Sequence, residues 1–211
     1  IIYWMQGIDA EESYMRNGSK LRRYVLDVIT KFAMKRAMAI FYVSDEMKKY
    51  EEGKFGISTD KKSFIMPCFN VSRTEGLQVD ESKYKKNIFT YVGSLSKWQC
   101  FEETLDFYKQ IEDIDPHAEL KIFTFAEEEA KSIVKTKNVK NCIVTSVAPD
   151  KITEALANVK FGFVLREDDP VNCVATPTKL SSYLSAGVIP IFSKYLKDFY
   201  NRTNSFEYVV P

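Results

Sequence analysis

From Ile88 onward, short apolar runs alternate with stretches of helical period, and this alternation limits the fold more than any other feature of the chain. The runs are "IFTYVG" (88–93), "ELKIFTF" (119–125), "NCIVTS" (141–146), "KFGFVL" (160–165) and "VIPIF" (188–192). Helix patterns over 101–113, 126–136, 149–157 and 177–186 separate them. Apolar runs of this length joined by amphipathic helices predict an α/β fold of stacked βαβ units, with a parallel sheet covered by helices on both faces. Its crossovers are expected to be right-handed.

The first part of the chain repeats the theme less regularly. Residues 1–7 read as a strand ending at Gly7, followed by an acidic loop, Asp9-Ala10-Glu11-Glu12. A helix pattern follows, with Leu21, Tyr24, Val25, Val28 and Phe32 at helical spacing. Its other surface is basic, with Arg16, Lys20, Arg22, Arg23, Lys31, Lys35 and Arg36 opposed only by Asp27. Two readings stay open for this 16–36 helix: a solvated face, or contact with anionic lipid or a charged acceptor. "AIFYVS" (39–44) predicts a strand, with Ser44 or Asp45 capping the next helix, and "KSFIMP" (62–67) predicts another strand. The polar segment Asn70–Asn87 reads as a connection, which divides the chain into domains 1–69 and 70–211. The apolar start at Ile1 and the strand-like Phe206–Val210 suggest a chain cut from something longer.

Composition removes several function classes. With 211 residues and 45% hydrophobic content, the chain can bury ample core, and a net charge of +1 offers no global steering to nucleic acid or membrane. Cys68, Cys100, Cys142 and Cys173 are scattered and His117 is the single histidine, which argues against a metal centre and for a reducing, cytoplasmic setting. No run of about 18 apolar residues is present to span a bilayer.

In open α/β sheets ligands sit beyond the carboxyl ends of the strands. That rule selects the loops "VGSLSKWQ", "TFAEE", "SVAPD" and, as the longest and most polar, "REDDPVNCVATPTK" (166–179). Arg166, Asn172, Thr176, Thr178 and Lys179 of the last can face one crevice. Thr176 as a cap, Pro177 in the first helical position and Gly187 at the end predict the helix there, with Leu180, Tyr183 and Leu184 as its buried stripe. Lys179 stands in the first turn, where the helix dipole disfavours a cation. It either joins an anion bound there or points to solvent with Asp168 or Asp169 as partner.

"TPTKLSSYLSAGVIPIF" resembles the P-x-K-L-x-E-Y-x-A-x-G-x-P-V-I segment of the donor domain in group 1 (GT4-like) glycosyltransferases of the GT-B fold. "FTYVGSL" is similar to the strand and glycine loop that open that domain. "WMQGIDAEE", "AIFYVSDEMKKYEEGKFG" and "KSFIMPCFNV" resemble, in order, segments from the end of the partner domain. The resemblance implies a GT-B type fold: residues 1–69 would be the C-terminal part of the acceptor-binding domain. Residues 70–211 would be the Rossmann-like donor domain.

The resemblance further implies transfer of a sugar, with retention of configuration, from a nucleotide diphosphate sugar to a saccharide or lipid-linked acceptor. The setting it implies is bacterial surface polysaccharide synthesis in the cytoplasm, at the inner face of the membrane if the basic helix makes peripheral contact. The donor would meet Gly93, Ser94, Lys97, Arg166, Thr178, Lys179 and Ser182, with no metal or other cofactor and no nucleic acid partner. The base would lie near Phe125 and the "SVAP" loop. Departures from the family pattern are specific. Gly93 is followed by Ser94 where many members carry G-R, and Gln99-Cys100 stand where K-G falls. Lys97 comes two positions early. Val174 and Ser182 replace the family's paired glutamates, leaving the catalytic residues unassigned, with Glu167, Asp168 and Asp169 as candidates to replace the first. Two other readings fit the same residues: a catalytically inactive GT-B-like binding or regulatory protein, and an unrelated doubly wound domain that binds a small anion.

Overall fold

The computed structural model describes residues 1–69 and 81–203, so the strand-like 206–210 and most of the polar connection at 70–87 lie outside the described residues. Two compact units are present. The first gathers Ile1–Cys68, Asp168–Thr176 and Lys194–Thr203, and the second the other described residues.

The first unit holds a parallel sheet in the order β1 (Ile2–Met5), β2 (Ala39–Tyr42), β3 (Ser63–Ile65). Helices α1 (Asp9–Asn17), α2 (Lys20–Arg36) and α3 (Asp45–Phe55) connect the strands. The stretch read as an acidic loop is instead the first turn of α1, where Asp9, Glu11 and Glu12 face the positive end of the helix dipole. Ser44 caps α3 by accepting from Met47 N at 3.0 Å. Glu11 Oε1 ties the helices together, accepting from Arg23 of α2 and from Tyr50 and Lys54 of α3 at 2.7–2.9 Å. Met5, Ile40, Tyr42, Met34 and Met47 form the core beneath them.

The second unit carries β4 (Ile88–Val92), β5 (Glu119–Phe123), β6 (Cys142–Thr145), β7 (Phe161–Val164) and β8 (Ile189–Phe192). All pairs are parallel, in the order β6-β5-β4-β7-β8. Its helices are α4 (Phe101–Ile114), α5 (Glu127–Thr136), α6 (Ile152–Ala155) and α8 (Lys179–Ser185). Two short helices between and after them, α7 (Pro170–Cys173) and α9 (Lys197–Thr203), belong to the first unit. Phe101, Leu105 and Tyr108 of α4 and Ala130 of α5 pack on Phe89, Leu120, Ile122 and Phe163. The opposite face receives Tyr183 of α8, whose ring lies so close to Gly162 that a Cβ there would stand 2.5 Å from it. Among the described residues no helix is long and apolar enough to cross a membrane.

The orientation of α2 runs against its sequence pattern. Arg23, Asp27, Thr30 and Met34 turn toward the unit, while Leu21, Tyr24, Val25, Val28, Ile29 and Phe32 are 46–75% exposed. The apolar stripe that sets the helical period therefore faces outward.

This packing has two measurable consequences. Gly162→Ala forces Tyr183 off the sheet and should cost about 1–3 kcal/mol in urea denaturation; an unchanged midpoint would mean the contact is slack. Glu51, 2% exposed and with no hydrogen-bond partner for Oε2 among the described residues, has its pKa pushed up to about 7 by burial. The native state then holds the extra proton between the ordinary carboxylate range and pH 7, so this group's contribution to stability falls as pH rises through that window and is constant above it. Glu51→Gln should gain on the wild type by about 3 kcal/mol as pH rises from the carboxylate range to above neutrality. A gap that does not change with pH would show that Glu51 stays ionised.

Candidate functional site

Strands β4 and β7 are neighbours, yet the chain leaves β4 toward β5 and β6 and leaves β7 toward β8. Such a reversal opens a crevice at the carboxyl ends of the two central strands. Three segments meet there: Gly93 and the turn after β4, Arg166 after β7, and the start of α8.

Lys179 is the first residue of α8, and its side chain turns inward, leaving the residue 8% exposed. Nζ donates to Gln99 Oε1 at 2.8 Å and sits 4.7 Å from the centroid of the Tyr91 ring. Arg166, 6% exposed, donates through Nη2 to the same Gln99 Oε1 at 2.8 Å. Its Nη1 bonds the carbonyls of Leu165 at 2.7 Å and Gln99 at 3.3 Å. One neutral oxygen thus serves two buried cations, and among the described residues no carboxylate pairs with either. Burial first, and then the Arg166 charge, hold the Lys179 ammonium well below the usual lysine range. Burial also lowers Arg166.

The backbone is shaped around this cluster. Gly93 has φ +145°, and a Cβ on it would stand 3.0 Å from Lys179 Nζ. Cys100 adopts φ 51°, the left-handed conformation, and turns the chain from a 3-10 turn at Lys97–Gln99 into α4. At the far end of α8, Lys83 donates to the carbonyl of Ala186, and Tyr84 Oη donates to that of Gly187 at 2.7 Å, which anchors the helix. Gly187, with φ +65°, ends α8 as its sequence implies.

Beside the cluster lies a cavity of ≈ 310 Å³, lined by Gly93, Ser94, Thr124, Phe125, Val147 and Pro149 among others. It is largely apolar, and Phe125 is exposed in it. A larger open groove of ≈ 600 Å³ runs over Lys121, Ile143, Lys151 and Asn158, but no residue of the cation cluster lines it.

Of the residues singled out from sequence, the structure brings Gly93, Arg166 and Lys179 into one cluster, and Ser94 into the adjoining cavity. Thr178 is exposed just before α8, and Ser182 is buried one turn after Lys179. Lys97 is exposed at the start of the 3-10 turn, and its side chain makes no bond to the cluster. Several local expectations are corrected. Lys179 does not point to solvent: Asp169 instead caps α7 by accepting from Val171 N at 2.9 Å, and Asp168 accepts from the Cys173 thiol. Thr176 does not cap α8 but accepts from Cys68 N at 3.4 Å. The helix begins only at Lys179 because Leu180 N and Ser181 N close tighter turns onto Pro177 and Thr178. Leu184 is exposed rather than part of the buried stripe. Val174 is a core residue of the first unit, its carbonyl accepting from Ser44 Oγ at 2.6 Å. Gln99 and Tyr91 are the partners that sequence reasoning missed. The signal for Gln99 was its place at the position where the resembled family carries lysine.

No protein-family model matches the chain, and no curated protein matches it by sequence. Solved structures do match. A mutant of S. aureus TarM in complex with fondaparinux, α-GlcNAc-glycerol and UDP aligns over 99% of this chain and 40% of its own, at 8% identity and TM-score 0.70. Sucrose-phosphate synthase from Thermosynechococcus elongatus aligns over 90% and 49%, at 13% identity and TM-score 0.65. The apo lipopolysaccharide outer core galactosyltransferase WaaB aligns over 92% and 56%, at 16% identity and TM-score 0.58. The chain spans between two-fifths and three-fifths of the length of these structures. Its fold is of the GT-B type, with parallel sheets, helices on both faces and a Rossmann-like unit.

A lysine held below its ordinary pKa leaves the unfolded chain with more bound protons between the folded and unfolded pKa values. The penalty is full below the folded pKa and shrinks as pH rises toward the ordinary lysine range. Lys179→Met should therefore stabilise the fold at neutral pH, with the gain narrowing as pH rises. Thermal melts across pH check this; a variant less stable at every pH would point to an anionic partner for Lys179.

Proposed function

We propose that this chain belongs to a glycosyltransferase that moves a sugar from a nucleotide diphosphate sugar to a saccharide or lipid-linked acceptor. The observation that carries the reading is the pair of buried cations, Lys179 and Arg166, sharing one amide oxygen at a sheet switch point. Cations buried without a counter-charge are costly, and a diphosphate supplies the missing charge in a form that both can grip. As the bond from the anomeric carbon to the leaving phosphate oxygen breaks, negative charge grows on the diphosphate, and fixed cations in a dry crevice stabilise it. The acceptor hydroxyl forms the new bond to that carbon. The base fits the apolar cavity beside Phe125 and Val147–Pro149, with Gly93 and Ser94 between base and phosphates. The chain's own cations, rather than a metal or other cofactor, face the leaving group in this scheme. Support comes from the TarM structure, which was solved with UDP.

Finer assignments belong to the same proposal. They are a group 1 (GT4-like), retaining hexosyltransferase of bacterial surface polysaccharide synthesis, working in the cytoplasm. Residues 1–69 serve the acceptor and 70–211 the donor. Thr178, Ser182 and Lys97 complete the donor contacts.

A second reading has one specific observation in its favour. The positions of the family's paired glutamates hold Val174, buried in the core of the first unit, and the buried Ser182. A nucleotide-sugar binding protein without turnover needs neither acid. Binding of the sugar nucleotide without transfer or hydrolysis, across a panel of acceptors, would favour it.

Lys179→Ala should weaken binding of UDP or GDP by about 10- to 150-fold while changing nucleoside affinity little, as loss of a charge-assisted contact implies. Titration calorimetry with each ligand measures this. Equal losses for nucleotide and nucleoside would remove Lys179 from the phosphate site.

A further inference from the structure

The outward face of α2 has no role in the donor site, and its composition is specific. At 3.6 residues per turn, Leu21, Tyr24, Val25, Val28, Ile29 and Phe32 form one continuous stripe, diametrically opposite the inward Arg23, Thr30 and Met34. Lys20, Lys31 and Lys35 line one border of the stripe and Arg22 and Arg36 the other, with Arg36 stacked 5.6 Å from the centroid of the Phe32 ring. None of these five cations forms an ion pair among the described residues. The helix's two inward charges are paired instead, Arg23 with Glu11 at 2.9 Å and Asp27 with Lys54 at 2.6 Å. Charge neutralisation thus stops where the helix meets its own unit. A continuous apolar stripe of this size on a surface is itself the mark of an interaction site.

We infer that α2 lies in the plane of an anionic lipid bilayer, its stripe set among the acyl chains and its lysines and arginines against the headgroup phosphates. The arrangement is that of an interfacial helix: apolar insertion along the centre, with long cationic side chains on both borders reaching back to the headgroup level. A second copy of the chain is disfavoured as occupant, since self-pairing through this face would set like charges against each other along both borders. The inference rests on α2 alone and is independent of the donor site.

Sedimentation of the 211-residue chain with phosphatidylcholine vesicles, with and without phosphatidylglycerol, tests it. Binding should require the anionic lipid and weaken with salt. A Phe32→Trp variant should show quenching by brominated acyl chains. Val28→Glu should lose binding about tenfold or more, by placing a charge among the acyl chains. Lys31→Glu with Lys35→Glu should remove the preference for phosphatidylglycerol while leaving the apolar stripe intact; circular dichroism verifies that each variant folds. Failure to bind either vesicle, or equal binding to both, overturns the proposal. So does a concentration-dependent dimer that Val28→Glu abolishes, which would make the stripe a self-association face.

Discussion

Arg166 and Lys179 reach the same oxygen of Gln99, and the rest of the site is arranged around that contact. Two positive charges buried at a strand end repel one another and lose hydration, while a single amide returns only part of the loss. The fold holds them in place nonetheless. Gly93 leaves room for the ammonium, Tyr91 offers its ring, Gly162 lets Tyr183 seat α8 on the sheet, and Lys83 with Tyr84 fix the helix's far end. Selection for stability alone would favour an apolar residue or a carboxylate at one of the two positions. This costly charge pair at the sheet switch point is what the proposed donor site rests on.

The site is two-sided in its physics. Its cationic part stands on β4, β7 and α8, elements locked by core packing. Its apolar part is built from the loops after β5 and β6, with Phe125 open to solvent. A ligand with an anionic middle and a flat, apolar end matches that division. Asp168 and Asp169 are engaged in their own turn, and Val174 and Ser182 carry no charge.

Much of the fold was legible in the sequence because parallel strands buried on both faces read as apolar runs, as the central β4 and β7 do. Strand β5, with Glu119 and Lys121, was legible from its place in the strand–helix alternation. Ser44 was legible as a cap because its role is local. Features set by distant partners were not. Gln99 lies 67 residues from Arg166 and 80 from Lys179, and an uncharged amide gives no hint that it will bridge them. Helical period fixed which residues of α2 share a face, but only packing against α1 and β2 decides which face turns inward. Thr176 looked like a cap until the fold offered it Cys68, and α7, four residues long, is too short to leave a period in the polar loop.

The central claim is that Lys179 and Arg166 await a diphosphate, and proton linkage addresses it most directly. A lysine depressed by burial and by a neighbouring cation regains its proton when an anion arrives. Calorimetric titration of UDP or GDP in buffers of differing ionisation enthalpy, at a pH where the free lysine is partly neutral, should show net proton uptake that disappears in Lys179→Met. Binding with no proton exchange, and with the same affinity in the variant, would contradict the account.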